Sequence, residues 1–340
     1  MSTVSHPTVI NIGSRKSALA LKQTDIVIEA LQKIHPEYEF RVNSISTAGD
    51  KDQVTALYNF GGKGLWTNEL EAMLAAKEVD FIVHSLKDMP TAIPTGFTLA
   101  CIMEREDPRD VVVFKSSLGT KYTTLADLPT GSVVGTSSIR RIAQLKRRYP
   151  GLEFADVRGN IQTRLRKLDD EAGPFTAIIL AAAGLLRMDY GARIAQYLDS
   201  SSAGMLHAVG QGAIGVEARE GDEVIARLLG AIQHEKTRLA CTAERSVMRT
   251  LEGGCSVPIG VETSWVDGGD VLRVKATVVR ADGSEAVDVD EKRAIQTVEE
   301  AHEFGNTLAK QLSSMGADRI LEGINALKHA APVKSTETQA

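Results

Sequence analysis

Apolar residues recur along this chain in two alternating rhythms. Short apolar runs at 9–12, 81–83, 99–103, 111–114 and 177–180 have the length of buried strands. Between them the period changes to that of a helix. Leu19, Ile26, Ile28, Leu31 and Ile34 share one side of a helix that Pro36 ends. Residues 65–77 read as a second helix, Ile142 with Leu145 as a third, and Ile161, Leu165 and Leu168 as a fourth. Residues 40–46 alternate as a strand. Strands interleaved with helices predict an α/β fold with mainly parallel sheets.

One unit occurs twice. Gly13-Ser14-Arg15-Lys16-Ser17 follows the first run, and Gly135-Thr136-Ser137-Ser138 with Arg140 follows Val133-Val134. Each reads strand, glycine, hydroxyls, arginine, helix. The repeat predicts two similar lobes whose helix N-termini face a common cleft. A late buried strand at 213–217, after Gly210-Gln211-Gly212, is expected to return to the first sheet, giving the lobes a double connection. Beyond a helix at 235–251, Asp267-Gly268-Gly269 and Asp282-Gly283 separate three strand-like runs, and helical patterns follow at 298–314 and 316–328. This is a small α+β domain with a three-stranded antiparallel sheet. The expected division is 1–112 with 211–232, then 113–210, then 233–330, with a disordered tail at 331–340.

The 340-residue length suits two or three such domains. No apolar run approaches the roughly 18–20 residues that cross a bilayer. The first seven residues lack the character of a secretory signal. Cys101, Cys241 and Cys255 are too few and scattered for a disulfide framework or a zinc site, so a cytoplasmic, reducing setting is expected. The net charge of −5 argues against general nucleic-acid binding. Within it, however, residues 136–167 hold nine basic and two acidic side chains, a local +7 that points to an anion held in one place. Tyr149 and Phe154 are the only aromatics in that stretch, too few to stack nucleic-acid bases.

The basic residues are not equivalent. Arg15 stands beside a helix start, and Arg140, Arg141, Arg158 and Arg187 lie just after strand ends, where a cleft opens. Arg164 is one turn further along. Lys146, Arg147, Arg148, Arg166 and Lys167 lie deeper in their helices and read as solvated faces. Several guanidinium forks on separate turns suit a ligand with many separate anionic groups. His84-Ser85-Leu86-Lys87-Asp88-Met89-Pro90 closes another strand. An Asp among cations stays ionised and accepts hydrogen bonds from the N–H groups of a cationic intermediate. The charged turn at 104–110 reads as a hinge or connector and not as a site. Residues 48–64 read as a long, mobile, glycine-containing loop of the kind that covers sites. Its Gly61-Gly62-Lys63-Gly64 fails as a phosphate loop, because glycine follows the lysine. Cys255, on a glycine loop, is a candidate nucleophile or attachment point.

Taken in order, Gly13–Ser17, His84–Pro90, Val134-Gly135-Thr136-Ser137-Ser138-Ile139-Arg140-Arg141, Arg158-Gly159-Asn160, Thr163-Arg164, Ala183-Gly184-Leu185 with Arg187, Gly210-Gln211-Gly212 and Gly253-Gly254-Cys255 resemble the porphobilinogen deaminases. The resemblance covers about residues 10–327. It implies two lobes like a periplasmic binding protein, a third domain, and a dipyrromethane cofactor joined by a thioether to Cys255. It implies a transferase that adds four porphobilinogen units to this primer, loses ammonia each time, and releases a linear tetrapyrrole in haem biosynthesis. By resemblance, Asp88 and Lys87 are catalytic. Lys87, Asp88, Ser137, Ser138, Arg140, Arg141 and Arg164 hold the cofactor, and Arg15, Ser17, Arg158 and Arg187 bind substrate carboxylates. Asp88 hydrogen-bonds pyrrole N–H groups and stabilises the azafulvene cation left by ammonia loss. The family reading needs no metal, charge and hydropathy point away from nucleic-acid and membrane partners, and with no sign of a large self-complementary surface a monomer is expected. Two other readings remain at this point: a two-lobed anion binder without catalysis, and a nucleic-acid binder using 136–167. The first has no use for the Cys255 loop, and the second lacks aromatic platforms.

Overall fold

The computed structural model describes residues 9–51, 66–251 and 257–330. The first lobe opens with β1 (Val9–Arg15), α1 (Ala18–Ile34), β2 (Glu39–Ile45), a single turn α2 (Ala48–Lys51), α3 (Asn68–Ala75), β3 (Phe81–Ser85) and β4 (Phe97–Ile102). The second contains β5 (Asp110–Phe114), β6 (Val133–Gly135), α4 (Ile139–Arg148), β7 (Glu153–Ala155), α5 (Ile161–Asp169), β8 (Ala177–Ala181), α6 (Ala182–Arg187) and β9 (Gln196–Leu198). The chain then returns to the first sheet through β10 (Ile214–Arg219) and α7 (Glu223–Gly230).

The two five-stranded sheets have one plan. The first runs β2-β1-β3-β10-β4 and the second β7-β6-β8-β5-β9. In each, the strand that has just crossed from the other lobe, β10 or β5, inserts antiparallel beside a parallel trio. Crossings at residues 103–109 and 199–213 therefore link the lobes twice, as the late apolar run predicts. β5 lies wholly in the second sheet and spans residue 112, where the sequence division of the lobes falls.

Both sheets are covered on both faces, which explains their near-continuous apolar strands. Ile10, Ile12, Phe81 and Val83 pack under α1 with Val27 and Leu31, while Ile82 packs with Leu70 and Leu74 of α3. In β8 alternate residues serve opposite cores: Ala177 and Ile179 one, Ile178 and Leu180 the other. Each fully buried Val, Leu, Ile or Phe side chain here stabilises by about 1.5–3 kcal/mol.

The third unit comprises α8 (Glu235–Thr250), the meander β11 (Ile259–Val266), β12 (Val271–Val279) and β13 (Ala286–Ala294), then α9 (Val298–Ser314) and α10 (Ala317–Ala330). Thr297 caps α9 in a reciprocal capping box with Glu300. The second crossing touches this sheet, since His207 bridges to Val261 of β11. Among the described residues, no helix is long and apolar enough to cross a membrane.

Candidate active site

The carboxyl ends of the parallel strands face one another across the lobes, and each places chemistry on the turn that follows. β1 delivers Arg15, β3 delivers Lys87 and Asp88, and β6 delivers Ser137, Ser138, Arg140 and Arg141. Arg158 and Arg164 follow β7, and Arg187 ends the helix after β8. The hydroxyls fix helix starts: Ser17 Oγ accepts from Ala20 N at 3.3 Å, and Ser138 Oγ from Arg141 N at 3.5 Å. Ser137 Oγ donates to the Val157 carbonyl at 3.2 Å, tying the β6 turn to the β7 turn.

Arg15 is half-buried and held from two sides. Its Nε and Nη2 donate to the two oxygens of Asp50, and its guanidinium lies 4.1 Å from the Trp66 ring centroid. The remaining nitrogen, Nη1, faces Asp88 Oδ2 at 3.7 Å. Burial works to raise the Asp50 pKa, but the Arg15 charge and the Thr47 hydrogen bonds outweigh it and hold that carboxyl below its usual range. Residues 48–51 are thus a helical turn anchored to the site and not part of an irregular loop. The rest of the expected loop, and Cys255, lie outside the described residues.

Lys87 is packed closely enough that desolvation drives its pKa down to about 8, with Arg141 and Arg140 repelling it and Asp88 and Asp110 opposing the shift. Its ammonium donates to Gln211 Oε1 at 3.5 Å. Arg164 shows the same signature: burial first, then repulsion from Arg141 and Arg158, brings it to about 10. Its Nε donates to the Gly159 carbonyl at 2.7 Å. Arg158 is half-buried close by. Arg187, also half-buried, donates to the Gly212 carbonyl at 2.7 Å, and desolvation lowers its pKa. Cations lowered by burial and by one another form a site short of negative charge, as a polycarboxylate ligand requires.

Arg140 and Arg141 depart from the expectation that both forks open into the cleft. They are 5% and 6% exposed, and both bind Asp110, which is fully buried. Arg140 Nη1 reaches Asp110 Oδ2 at 2.7 Å and the Leu206 carbonyl at 2.6 Å. Arg141 reaches Asp110 Oδ1 through Nε at 3.1 Å and Nη2 at 2.7 Å, and the Ile179 carbonyl through Nη1 at 2.7 Å. Burial alone would raise the Asp110 pKa, but the two arginine charges hold it far below the usual range. The 104–110 turn is therefore more than a connector, because its last residue, Asp110, is the counter-ion of Arg140 and Arg141. The sequence carried a signal for it: an acid directly at the head of a wholly apolar strand has to be paired.

Two descriptions match the chain among known families. “Porphobilinogen deaminase, dipyromethane cofactor binding domain” covers residues 10–227, and “Porphobilinogen deaminase, C-terminal domain” covers residues 238–314. The porphobilinogen deaminase of Neurospora crassa is 59% identical over 93% of this chain and 94% of its own length. That of Saccharomyces cerevisiae is 48% identical over 94% of this chain and 98% of its own. That of Synechococcus is 49% identical over 93% and 96%. Among solved structures, the periplasmic aliphatic sulphonate binding protein of Escherichia coli aligns over 73% of this chain and 71% of its own, at 13% identity and a TM-score of 0.37. With both family descriptions and these relatives spanning nearly all of its length, the chain belongs to the porphobilinogen deaminase family.

Proposed function

We propose that Cys255 carries the dipyrromethane primer onto which this transferase joins four porphobilinogen units, and that Asp88 is the group that makes each addition possible. The observation that supports this is the setting of Asp88: one carboxylate on the turn after β3, facing Arg15 at 3.7 Å, beside Lys87 and Arg164, whose charges burial disfavours. When bound, the primer supplies an electron-rich pyrrole carbon as the nucleophile.

The donor set fits such a ligand. Pyrroles bearing acetate and propionate arms present separated carboxylates, and the cations here stand on separate turns. In this reading Lys87, Ser137, Ser138, Arg140, Arg141 and Arg164 hold the primer. Arg15, Ser17, Arg158 and Arg187 receive the carboxylates of incoming substrate. Arg140 and Arg141 serve through net charge, since Asp110 offsets only one of their two positive charges. Each carboxylate that arrives relieves the mutual repulsion of the cations, so binding favours the charged form of Lys87. Asp88 accepts hydrogen bonds from pyrrole N–H groups and stabilises the positive charge that grows on the substrate as ammonia departs.

The same reading assigns three bodies to the chain, 1–112 with 211–232, 113–210, and 233–330, with the first boundary drawn back to the 103–109 crossing because all of β5 pairs in the second sheet. It also takes the enzyme to be a monomer in a reducing, cytoplasmic setting, and the buried free thiols of Cys101 and Cys241 agree with that setting. Intact mass tests the assignment. The purified enzyme is expected to exceed its sequence mass by two pyrrole units, and Cys255→Ala to lack the excess. Active protein of unmodified mass would overturn it.

A further inference from the structure

Gln211 is fixed on every side but one. It lies between Gly210 (φ +69°) and Gly212 (φ +88°), both in the left-handed region that glycine tolerates. A Cβ on Gly212 would stand 2.3 Å from the Glu106 carbonyl oxygen, and one on Gly210 2.9 Å from Leu86 Cγ. The turn is thus seated between the first crossing and the residue before Lys87. Leu86 N donates to the Ala213 carbonyl at 3.0 Å, closing the contact. Arg105 Nε donates to the Gln211 carbonyl at 2.7 Å. The side chain is held as firmly. Its Nε2 donates to the Pro108 carbonyl at 2.7 Å and to Asp110 Oδ1 at 2.9 Å, so both amide hydrogens are engaged. Those two acceptors set the orientation of the carboxamide, and Oε1 is the atom left to face Lys87 Nζ.

We propose that Gln211 is a positioning residue for the reaction: its carboxamide aims the Lys87 ammonium into the cleft and ties it to Asp110 across the hinge. The inference rests on the reading of Lys87 as a ligand-binding cation. The chain of contacts runs from Lys87 on the first lobe, through Gln211 on the second crossing, to Asp110, Arg140 and Arg141 on the second lobe. Its other joints measure 2.7–3.1 Å, whereas Lys87–Gln211 measures 3.5 Å. That joint is the slackest, so it is where relative movement of the lobes changes the placement of a site cation. The charged groups facing Lys87 are Asp88 from its own turn, Arg140 and Arg141 from α4, and Asp110 from β5.

The test compares Gln211→Met and Gln211→Glu as holoenzymes of verified mass, with kcat/KM for porphobilinogen measured across the basic pH range. Gln211→Met removes the acceptor beside the ammonium and moves the basic limb to lower pH. Gln211→Glu gives up the amide's donors to Pro108 and Asp110 but sets an acid beside the ammonium, and it moves the limb upward wherever that acid is ionised. Opposite displacements are the expected signature, since a purely structural role would lower activity and leave the limb in place. Gln211→Asn keeps the amide but withdraws Oε1, so it repeats the downward shift should either variant not fold. Limbs that coincide with wild type overturn the proposal. Lys87→Met separates the two levels. If it is impaired while the Gln211 limbs stay fixed, only the role of Gln211 fails. If it turns over normally, the reading of Lys87 fails and Gln211's role with it.

Discussion

Asp88 Oδ2 lies 3.7 Å from Arg15 Nη1, near enough for charge attraction and too far for a hydrogen bond. The oxygen is therefore not saturated by its neighbour and can accept from a ligand N–H. Asp88→Asn keeps the shape and removes the charge, and Asp88→Ala removes both. Each is expected to retain the two-pyrrole mass excess while kcat falls about 10²–10³-fold, the usual effect of losing one preorganised electrostatic group. Steady-state kinetics beside intact mass checks this, and an unchanged kcat would remove Asp88 from the chemistry.

Lys87 gives the enzyme a basic limit. A cation with its pKa lowered to about 8 is charged below that pH and neutral above it. Carboxylate binding that depends on it is expected to weaken as pH rises past 8, at a point that bound primer carboxylates move upward, visible as a falling kcat/KM. Lys87→Arg stays charged throughout and should flatten that limb. A wild-type profile that stays level to pH 9.5 would contradict it.

Asp110 holds two buried arginines at once, so its loss exposes both to each other. Asp110→Asn is expected to destabilise the protein by about 3–5 kcal/mol, the cost of leaving a buried charge unpaired. Denaturant unfolding of the holoenzyme measures this. A change under about 1 kcal/mol would mean that solvent or rearrangement satisfies the pair.

Arg105 and Glu244 make the matching clamp to the third unit. Both guanidinium Nη atoms reach the carboxylate, at 2.6 and 2.9 Å, and the oxygens also accept from Thr263 Oγ1 and Gly210 N. Burial opposes the charge, but Arg105 and His207 outweigh it and hold the Glu244 pKa at about 2. A depressed acid contributes its stability in full above the unfolded value of 4.5 and loses it as pH falls through 2. That contribution is about 3 kcal/mol at full strength. Buried His207, lowered to about 4 by desolvation and then by Arg105, adds a second acid-side loss between 6.5 and 4. Urea unfolding at pH 7, 4.5 and 3 should show a shallower decline below 4.5 in Glu244→Gln than in wild type. Parallel declines would assign acid sensitivity elsewhere.

Local signals in the sequence carried much of this structure. Apolar runs found the strands because both sheet faces are covered, and glycine-hydroxyl turns found α1 and α4 because Ser17 and Ser138 cap them. The return of β10 was legible because a buried strand late in the chain needs a sheet to join. The state of Arg140 and Arg141 was not legible. Position after a strand end says that a side chain can reach a cleft, but not whether an acid thirty residues earlier has already taken its fork. Gln211 and Asp50 were missed because a crossing and the α2 turn bring their partners near, whereas for Asp110 the sequence signalled a need for pairing but not which arginines of α4 supply it. Trp66 belongs with them, since stacking on Arg15 joins residues far apart in the chain.

The insertion of β10 between β3 and β4 also dictates an order of assembly during synthesis. β3 and β4 are near neighbours in sequence yet not hydrogen-bonded to each other, because a strand made much later separates them. Until residues 214–219 leave the ribosome, the first lobe has a strand-wide slot with two bare edges, the kind of surface that invites wrong pairing. The second sheet needs only residues 110–198. The half of the cleft that begins to emerge later can therefore be finished first, and the first-made half, with Arg15, Lys87 and Asp88, gains its last strand only after every strand of its counterpart has emerged.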